Sequence, residues 1–539
     1  LNASPPHTLT EPQRPSQSLL VHNSAGWFNF ANSKFEQKTI MNCKKIFLSI
    51  ALLIAPFSGN SDEFQPLAND VAVVQLSYDG ISSWDCGVGT VVLQIKKILQ
   101  ELNIQYPTFH SKIYLLTPNY AHTLSEYSAD ILKKNSADCK NSGGNLLLLS
   151  TQNLLSTKKI DQFFGNPDQW QELCQTGAAE CVKIINQNPF TVVLAHDTAF
   201  AQLPMQLKRL EQTGKIHHPY KVLWVPHSTS WSYNGHTNST PAWPERHYWE
   251  LTAFQKASKY GYQIGYLCET IKKHITDAPF NVPESSLCPF RTGIIRDKYL
   301  HQHSLDKIAA ELTKRSIPLN KQLLFSIGRA TYLKGQDIVL EIYRCLKPIY
   351  PDLHLVLLAP KSGHCPEFIE LLKKRNREEH LNATIIETFD SDLADYIYQW
   401  PLTNLILLLS REDTQPLTVM EARANPQNCV VLVSNRGGMG AQVCDGIDGF
   451  ICNIDGLPQI ISEPLPFCPI IKKIVEKTKF ILNLPNQKRD VIIQNGKKLI
   501  CEKYDMRKVV KSNLLRLIND PAVAPSVIEE NPISSPFLK

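Results

Sequence analysis

Ser410-Arg411-Glu412-Asp413-Thr414-Gln415-Pro416-Leu417-Thr418-Val419-Met420-Glu421-Ala422 decides the reading of this chain. The stretch follows an apolar, strand-like run at 404–409 and sets Asp413 and Glu421 either side of seven residues, the second acid opening a helix-like segment. A carboxylate accepts hydrogen bonds from neighbouring hydroxyls in pairs. A helix start offers backbone N–H groups to phosphate. One loop of this form suits a ligand with vicinal hydroxyls on both sides of a diphosphate.

Two further segments support the same chemistry. Leu323-Leu324-Phe325-Ser326-Ile327 reads as a buried strand, followed by Gly328-Arg329 and then by Lys334-Gly335 ahead of an amphipathic run through Asp337, Ile338, Val339, Leu340 and Ile342. Arg329 can fork onto phosphate oxygens while Lys334 acts as a point charge, so together they can neutralise a departing diphosphate. Val430-Val431-Leu432-Val433-Ser434 is another strand candidate, followed by Asn435-Arg436-Gly437-Gly438 and by Asp445-Gly446-Ile447-Asp448-Gly449-Phe450. Gly437 and Gly438 permit close backbone approach to a ligand, and the later glycines read as turn residues.

In order and spacing these three segments resemble the donor-binding half of GT-B retaining glycosyltransferases of families 4 and 5, the group 1 transferases that include glycogen and sucrose synthases. The resemblance implies that Glu421 holds the ribose hydroxyls of a nucleoside diphosphate sugar and that Asp413 meets the donor sugar. It also implies that Leu417 and Thr418 offer backbone N–H to phosphate, that Arg329 and Lys334 take the diphosphate, and that Gly437 and Gly438 line the donor. Many relatives carry Glu where this chain has Asp413. That shorter side chain reaches about one C–C bond less far, and Glu412 beside it leaves the assignment between the two acids open.

The first half reads as a second domain of the same class. A β-rich run at 71–76, the loop through Trp84-Asp85-Cys86-Gly87-Val88-Gly89 and an amphipathic pattern at Val91, Val92, Ile95, Ile98 and Leu99 make a Rossmann-type opening. In the family, the glycines equivalent to Gly87 and Gly89 face the cleft near donor phosphate. Bacterial-type glycogen synthases carry a lysine just before them; Trp84-Asp85-Cys86 stands here instead, which weakens a claim of glucan synthesis. Strand-like runs follow at 113–116, 146–149, 192–195 and 222–225. Two end in chemistry: Ala195-His196-Asp197 and Pro226-His227-Ser228 resemble the family's strand-end residues near the sugar, which makes Asp197 and His227 catalytic candidates. The aromatic-rich tract 231–249 suits stacking on a sugar acceptor or a long ordered loop.

At 539 residues, with 43% hydrophobic and 20% charged, the chain is long enough for two or three globular domains. A net charge of +6 from 56 basic and 50 acidic residues, without a long Lys/Arg block, argues against a nucleic-acid partner. Fourteen cysteines include no Cys-x-x-Cys pair, and His-Glu-x-x-His is absent, so no zinc pattern is supported. Buried free thiols such as Cys429 and Cys452 are the simplest account.

Near the N-terminus, Met41-Asn42-Cys43-Lys44-Lys45 precedes an apolar run at 46–57 and small residues at Ser58-Gly59, the pattern of a secretory signal starting at Met41. The run is short for a bilayer span. Export or membrane tethering then stands against the cytoplasmic location that the family implies. Asn2, Asn238 and Asn382 open Asn-x-Ser/Thr triplets that carry no weight without a compartment.

The expected fold is α/β: a GT-B arrangement of two Rossmann-like, doubly wound parallel-sheet domains facing an interdomain cleft. The expected segments are a non-globular region 1–67 with its signal-like stretch 44–59, an acceptor-side domain 68–300, a linker 301–320, a donor-binding domain 321–495, crossover helices 496–518 and a disordered tail 519–539. The expected activity is metal-independent, retaining transfer of a hexosyl group from a nucleoside diphosphate sugar to a glycan or other hydroxyl acceptor, with no cofactor. The alternatives are a GT-B protein that binds nucleotide or glycan without turnover and a glycogen or sucrose synthase-type enzyme. Peripheral or N-terminal membrane association is the remaining partner expectation.

Overall fold

The computed structural model describes residues 70–78, 81, 87–106, 109–119, 129–150, 166–230, 244–361, 365–388, 390–425 and 429–519. The signal-like stretch, the Trp84-Asp85-Cys86 triplet, Asn2, Asn238, residues 231–243 of the aromatic tract and the tail from 520 lie outside them.

Among the described residues, thirteen strands form two parallel sheets. The first contains β1 (Asp70–Leu76), β2 (His110–Pro118), β3 (Leu146–Leu149), β4 (Thr191–His196), β5 (Tyr220–Val225), β6 (Gln263–Tyr266) and β7 (Leu287–Pro289), in the order β3-β2-β1-β4-β5-β6-β7. The second contains β8 (Gln322–Ile327), β9 (Leu353–Leu358), β10 (Thr384–Ile386), β11 (Thr403–Leu408), β12 (Val430–Ser434) and β13 (Phe450–Cys452), in the order β10-β9-β8-β11-β12-β13. Helices cover both faces, so the strands read as unbroken apolar runs. Along β8 the two-residue period sends Leu323 and Phe325 into one core layer and Leu324 into the other.

Each sheet winds outward in two directions from a central pair of strands. In such folds the crevice outside the strands' carboxyl ends, where the winding reverses, receives the ligand. In the first sheet the reversal lies between β1 and β4, and Asp197 follows β4 directly. In the second it lies between β8 and β11, which deliver Gly328-Arg329 and the acidic loop 410–416 to the same edge.

Two segments differ from the sequence expectation. Within the stretch read as a hinge, Leu305–Lys314 is a helix whose Ser304 side chain caps the backbone N–H of Lys307. Its Ile308 and Leu312 are buried, together with Ile317, in a layer of the second sheet. The i, i+4 apolar spacing on a capped turn explains the helix. The first C-terminal helix begins earlier than expected and spans Asn486–Lys503. Gly496 lets it approach closely: a Cβ there would lie 3.2 Å from Arg423 Nε and from the Asp448 carbonyl.

The last helix, Met506–Asn519, crosses back to the first domain. Arg507 pairs with Glu101 at 2.7 Å, Asn513 donates to the Arg291 carbonyl at 2.9 Å, and Arg516 donates to the Pro289 carbonyl. The turn before it is stitched to Ile294, which donates to the Tyr504 carbonyl and accepts from Met506 N–H. Gly293 makes this seam possible, because a Cβ would stand 2.2 Å from the Tyr504 carbonyl oxygen. Gly293→Ala therefore forces backbone apart at the crossover. The expected loss is about 1–3 kcal/mol of stability, typical of overpacking, with new proteolytic cleavage near Tyr504; an unchanged denaturation midpoint would contradict the seam.

Candidate functional site

The acidic loop is anchored before it presents anything. Arg411 forms a two-pronged ion pair with the fully buried Asp337, both contacts at 2.7 Å, and donates from its backbone to the Leu333 carbonyl and from its guanidinium to the Tyr332 carbonyl. Asp337 also accepts from Ile461 N–H. These bonds tie the acidic loop to the 3₁₀ turn Tyr332–Lys334, and so fix Lys334 relative to Asp413. Breaking a buried pair of this kind costs about 3–5 kcal/mol. The signal was present in the sequence, since an aspartate on the buried face of an amphipathic helix needs a partner.

Lys334 and Asp413 meet directly, Nζ to Oδ2 at 2.5 Å, with both side chains partly open to solvent. Lys334 lies over Gly328, where a Cβ would come within 3.2 Å of its Cγ. Gly335 holds the turn in the left-handed region (φ 65°) and packs on the Leu409 carbonyl, 2.0 Å from where a Cβ would be. Arg329 is half-buried, two residues beyond the end of β8.

Gly437 and Gly438 pack on the acidic loop's own backbone. A Cβ on Gly437 would lie 2.2 Å from the Asp413 carbonyl oxygen, and one on Gly438 would lie 1.7 Å from that of Thr414. Gly438 N–H donates to the Asp413 carbonyl at 2.7 Å. These two glycines therefore set the loop's shape, in addition to any ligand they line.

Beyond the loop, the helix Leu417–Ala424 starts at Leu417, so Glu421 stands in its second turn instead of opening it. No side chain caps this helix start. The first-turn amides of Leu417 and Thr418 are without an intrahelical acceptor, as at any helix start. Glu421 accepts a hydrogen bond from the Tyr299 hydroxyl at 2.7 Å, which fixes the carboxylate's direction. Burial and Glu421 push the Tyr299 phenol well above its usual pKa, so it remains a donor.

From the first domain, His227 reaches this loop: its carbonyl accepts from the Thr414 hydroxyl at 2.6 Å. Cys268 donates to the Thr414 carbonyl, Thr270 donates to the Gly437 carbonyl, and Thr292 donates to Gln415. His227 and Gly437 were candidates from the sequence, whereas Cys268, Thr270 and Thr292 carry no distinguishing pattern as single residues. The rings of His196 and His227 lie 3.0 Å apart, Nδ1 to Nε2, and burial holds both neutral, His227 down to about 3 and His196 well below its ordinary value.

Asp197 follows in a strained conformation, φ 60° and ψ −170°. Desolvation raises its carboxyl to about 6 despite Arg246, whose guanidinium is 3.9 Å away. Arg246 and Glu250, an ion pair at 2.6 Å, brace the ends of β4 and β5 through Thr198, Ser228 and Ser230. Gly87 and Gly89 form the first turn of the helix Gly87–Gln105 after β1.

Glu412 is 7% exposed, and desolvation, aided by Asp413, pushes its carboxyl up to about 8 against the pull of Arg436. In the unfolded chain the same group releases its proton near the ordinary glutamate value. Between the two values the unfolded state binds fewer protons than the folded one, so this group's contribution to stability falls as pH rises, by at most about 1.4 kcal/mol per pH unit. Denaturant titrations from pH 5 to 8 should show wild type losing stability relative to Glu412→Gln; parallel curves would refute the buried, protonated acid.

Comparison with known proteins places this geometry. Residues 308–462 match the model of the family Glycosyl transferases group 1. No curated protein matches the chain. A glycosyltransferase from Rickettsia africae ESF-5 is similar in structure at 15% identity, covering 84% of this chain and 100% of its own, with a TM-score of 0.58. Sucrose-phosphate synthase from Thermosynechococcus elongatus is similar at 13% identity, 83% and 98% coverage and a TM-score of 0.61. Anabaena HepE in complex with UDP and glucose is similar at 11% identity, 83% and 99% coverage and a TM-score of 0.56. The two-sheet architecture is a GT-B fold, and its second half carries the sequence match to the group 1 glycosyl transferases.

Proposed function

We propose that this protein is a retaining glycosyltransferase that moves a hexosyl group from a nucleoside diphosphate sugar to a glycan or other hydroxyl acceptor, without a metal. The observation that carries this reading is the convergence of Lys334, Asp413 and the uncapped start of the helix Leu417–Ala424 at the reversal point of the second sheet. The group 1 family match over the same residues supports a nucleotide-sugar transferase. HepE was solved with UDP and with UDP-glucose, which supports that class of donor.

In this reading Arg329 and Lys334 stabilise the diphosphate as negative charge develops on it, the role a bound cation fills elsewhere. Lys334 exchanges Asp413 for a phosphate oxygen. The Leu417 and Thr418 amides take further phosphate oxygens, and Glu421, aimed by Tyr299, receives the ribose hydroxyls. Asp197 and His227 form the acceptor-side wall, and His227, being neutral, presents a hydrogen-bonding ring without adding positive charge. Contact between the halves excludes water and limits hydrolysis of the donor.

Incubation with UDP-, GDP- and ADP-sugars together with hydroxyl acceptors should release nucleoside diphosphate with one member of the panel. Arg329→Ala should then lower turnover by about two to three orders of magnitude, the scale of losing one preorganised charge donor, with folding unchanged by circular dichroism. Wild-type turnover in that variant would remove the phosphate role.

A further inference from the structure

His196 and His227 come together because β4 and β5 pair in register, His196 beside Val225, and His227 follows two residues later. Their rings share one polar contact, His196 Nδ1 to His227 Nε2 at 3.0 Å. Burial keeps both imidazoles uncharged. A neutral imidazole carries one N–H and one bare nitrogen, so across this contact one ring donates and the other accepts.

The far side of His196 decides which. The side chain is fully buried, its Nε2 is enclosed without a hydrogen-bond partner, and the ring of Phe290 stands against it with centroids 6.4 Å apart. If His227 donated, His196 would carry its own proton at Nε2, as a buried N–H with nothing to receive it. If His196 donates from Nδ1, Nε2 is a bare lone pair. Folded proteins tolerate an enclosed acceptor without a donor more readily than an enclosed N–H without an acceptor, as their backbones show.

His196 is therefore the donor. His227, accepting at Nε2, keeps its proton on Nδ1. That nitrogen bonds no described residue and is not among the enclosed, unpartnered atoms, so it faces open space. The Thr414 hydroxyl holds the His227 carbonyl and thereby fixes this histidine beside the acidic loop.

We propose that His196 is a positioning residue: it fixes the tautomer of His227 so that His227 offers the site an Nδ1–H donor in place of a bare nitrogen. The ligand group that meets His227 has to present an oxygen lone pair. The consequence for turnover rests on the transferase reading above, whereas the tautomer itself does not.

Nitrogen-15 NMR of the full chain with labelled histidine reads the tautomer directly, because protonated and bare ring nitrogens resonate far apart; His227→Gln identifies the signals. Wild type should show both rings protonated at Nδ1. His196→Asn, whose amide can donate from about the position of Nδ1, should keep His227 in that form. His196→Leu, similar in size but without a donor, should release part of it to the Nε2–H form. With a donor and acceptor in hand, His196→Leu should lower kcat/KM by about tenfold, the scale of one hydrogen bond, and His196→Asn should restore most of it. In a His227→Gln background the His196→Leu change should have no further effect, which a merely structural histidine would not produce. Wild-type His227 protonated at Nε2, or equal turnover in the Asn and Leu variants, overturns this inference, and the wild-type spectrum decides even where the Leu variant does not fold. A wild type that shows Nδ1–H on both rings but transfers from no sugar nucleotide overturns the transferase reading and leaves the tautomer assignment standing.

Discussion

The close backbone approach between Gly437-Gly438 and the carbonyls of Asp413 and Thr414 is the constraint on which the rest of the site depends. At 1.7 and 2.2 Å from those oxygens no Cβ can be accommodated. The loop after β12 therefore supports the loop after β11 by main chain alone, and the Gly438 N–H to Asp413 carbonyl bond holds that contact in register. Side chains on the acidic loop are left to face other partners, because its backbone is already fixed. Glycine serves here for close approach, and at Gly437 also for a positive φ of 51°.

Electrostatics divides the same few residues into structural and chemical parts. The Arg411–Asp337 pair is deeply buried at its acid end and bonded to carbonyls as well, the geometry in which a buried ion pair is fully satisfied and strongly resists disruption. Lys334–Asp413 is partly open to water, so separating its partners costs less by comparison. One pair builds the loop and the other is replaceable.

Much of the fold was legible because parallel strands covered on both faces must be apolar. The runs at 146–149, 192–195, 222–225 and 323–327 appear as β3, β4, β5 and β8 with bounds within two residues. Turn chemistry was equally readable: Asp445-Gly446 and Gly449-Phe450 close a bridge and lead into the short β13. The helix Leu305–Lys314 was obscured by its exposed charged face, although the spacing of Ile308 and Leu312 marks its buried side. That the buried Asp337 needs a partner could be read from its helix face, but which charges pair could not. Lys334 and Asp413 are separated by 79 residues, and Arg411 and Asp337 by 74, so only the strand order brings them to one edge. Both members of the first pair stand out in the sequence, but nothing there marks each as the other's partner.

The bonds that join the first domain to the acidic loop share a chemical character. Thr414 to His227, Cys268 to Thr414, Thr292 to Gln415 and Gln415 back to Thr292, with Thr270 to Gly437 beside them, are all hydrogen bonds between neutral groups, and four of the five end on a backbone carbonyl. Each contributes about 0.5–1.5 kcal/mol net, so the seam at the site is specific in geometry while far weaker than the ion-paired interior of either half. The stronger tie between the halves is displaced from the chemistry, in the helix Met506–Asn519 with its buried Val509, Val510, Leu514 and Leu517 and its Arg507–Glu101 pair. A fold arranged in this way keeps its halves together at the back by packing and an ion pair, and joins them at the front through weaker, neutral hydrogen bonds, the part of the seam that opens first.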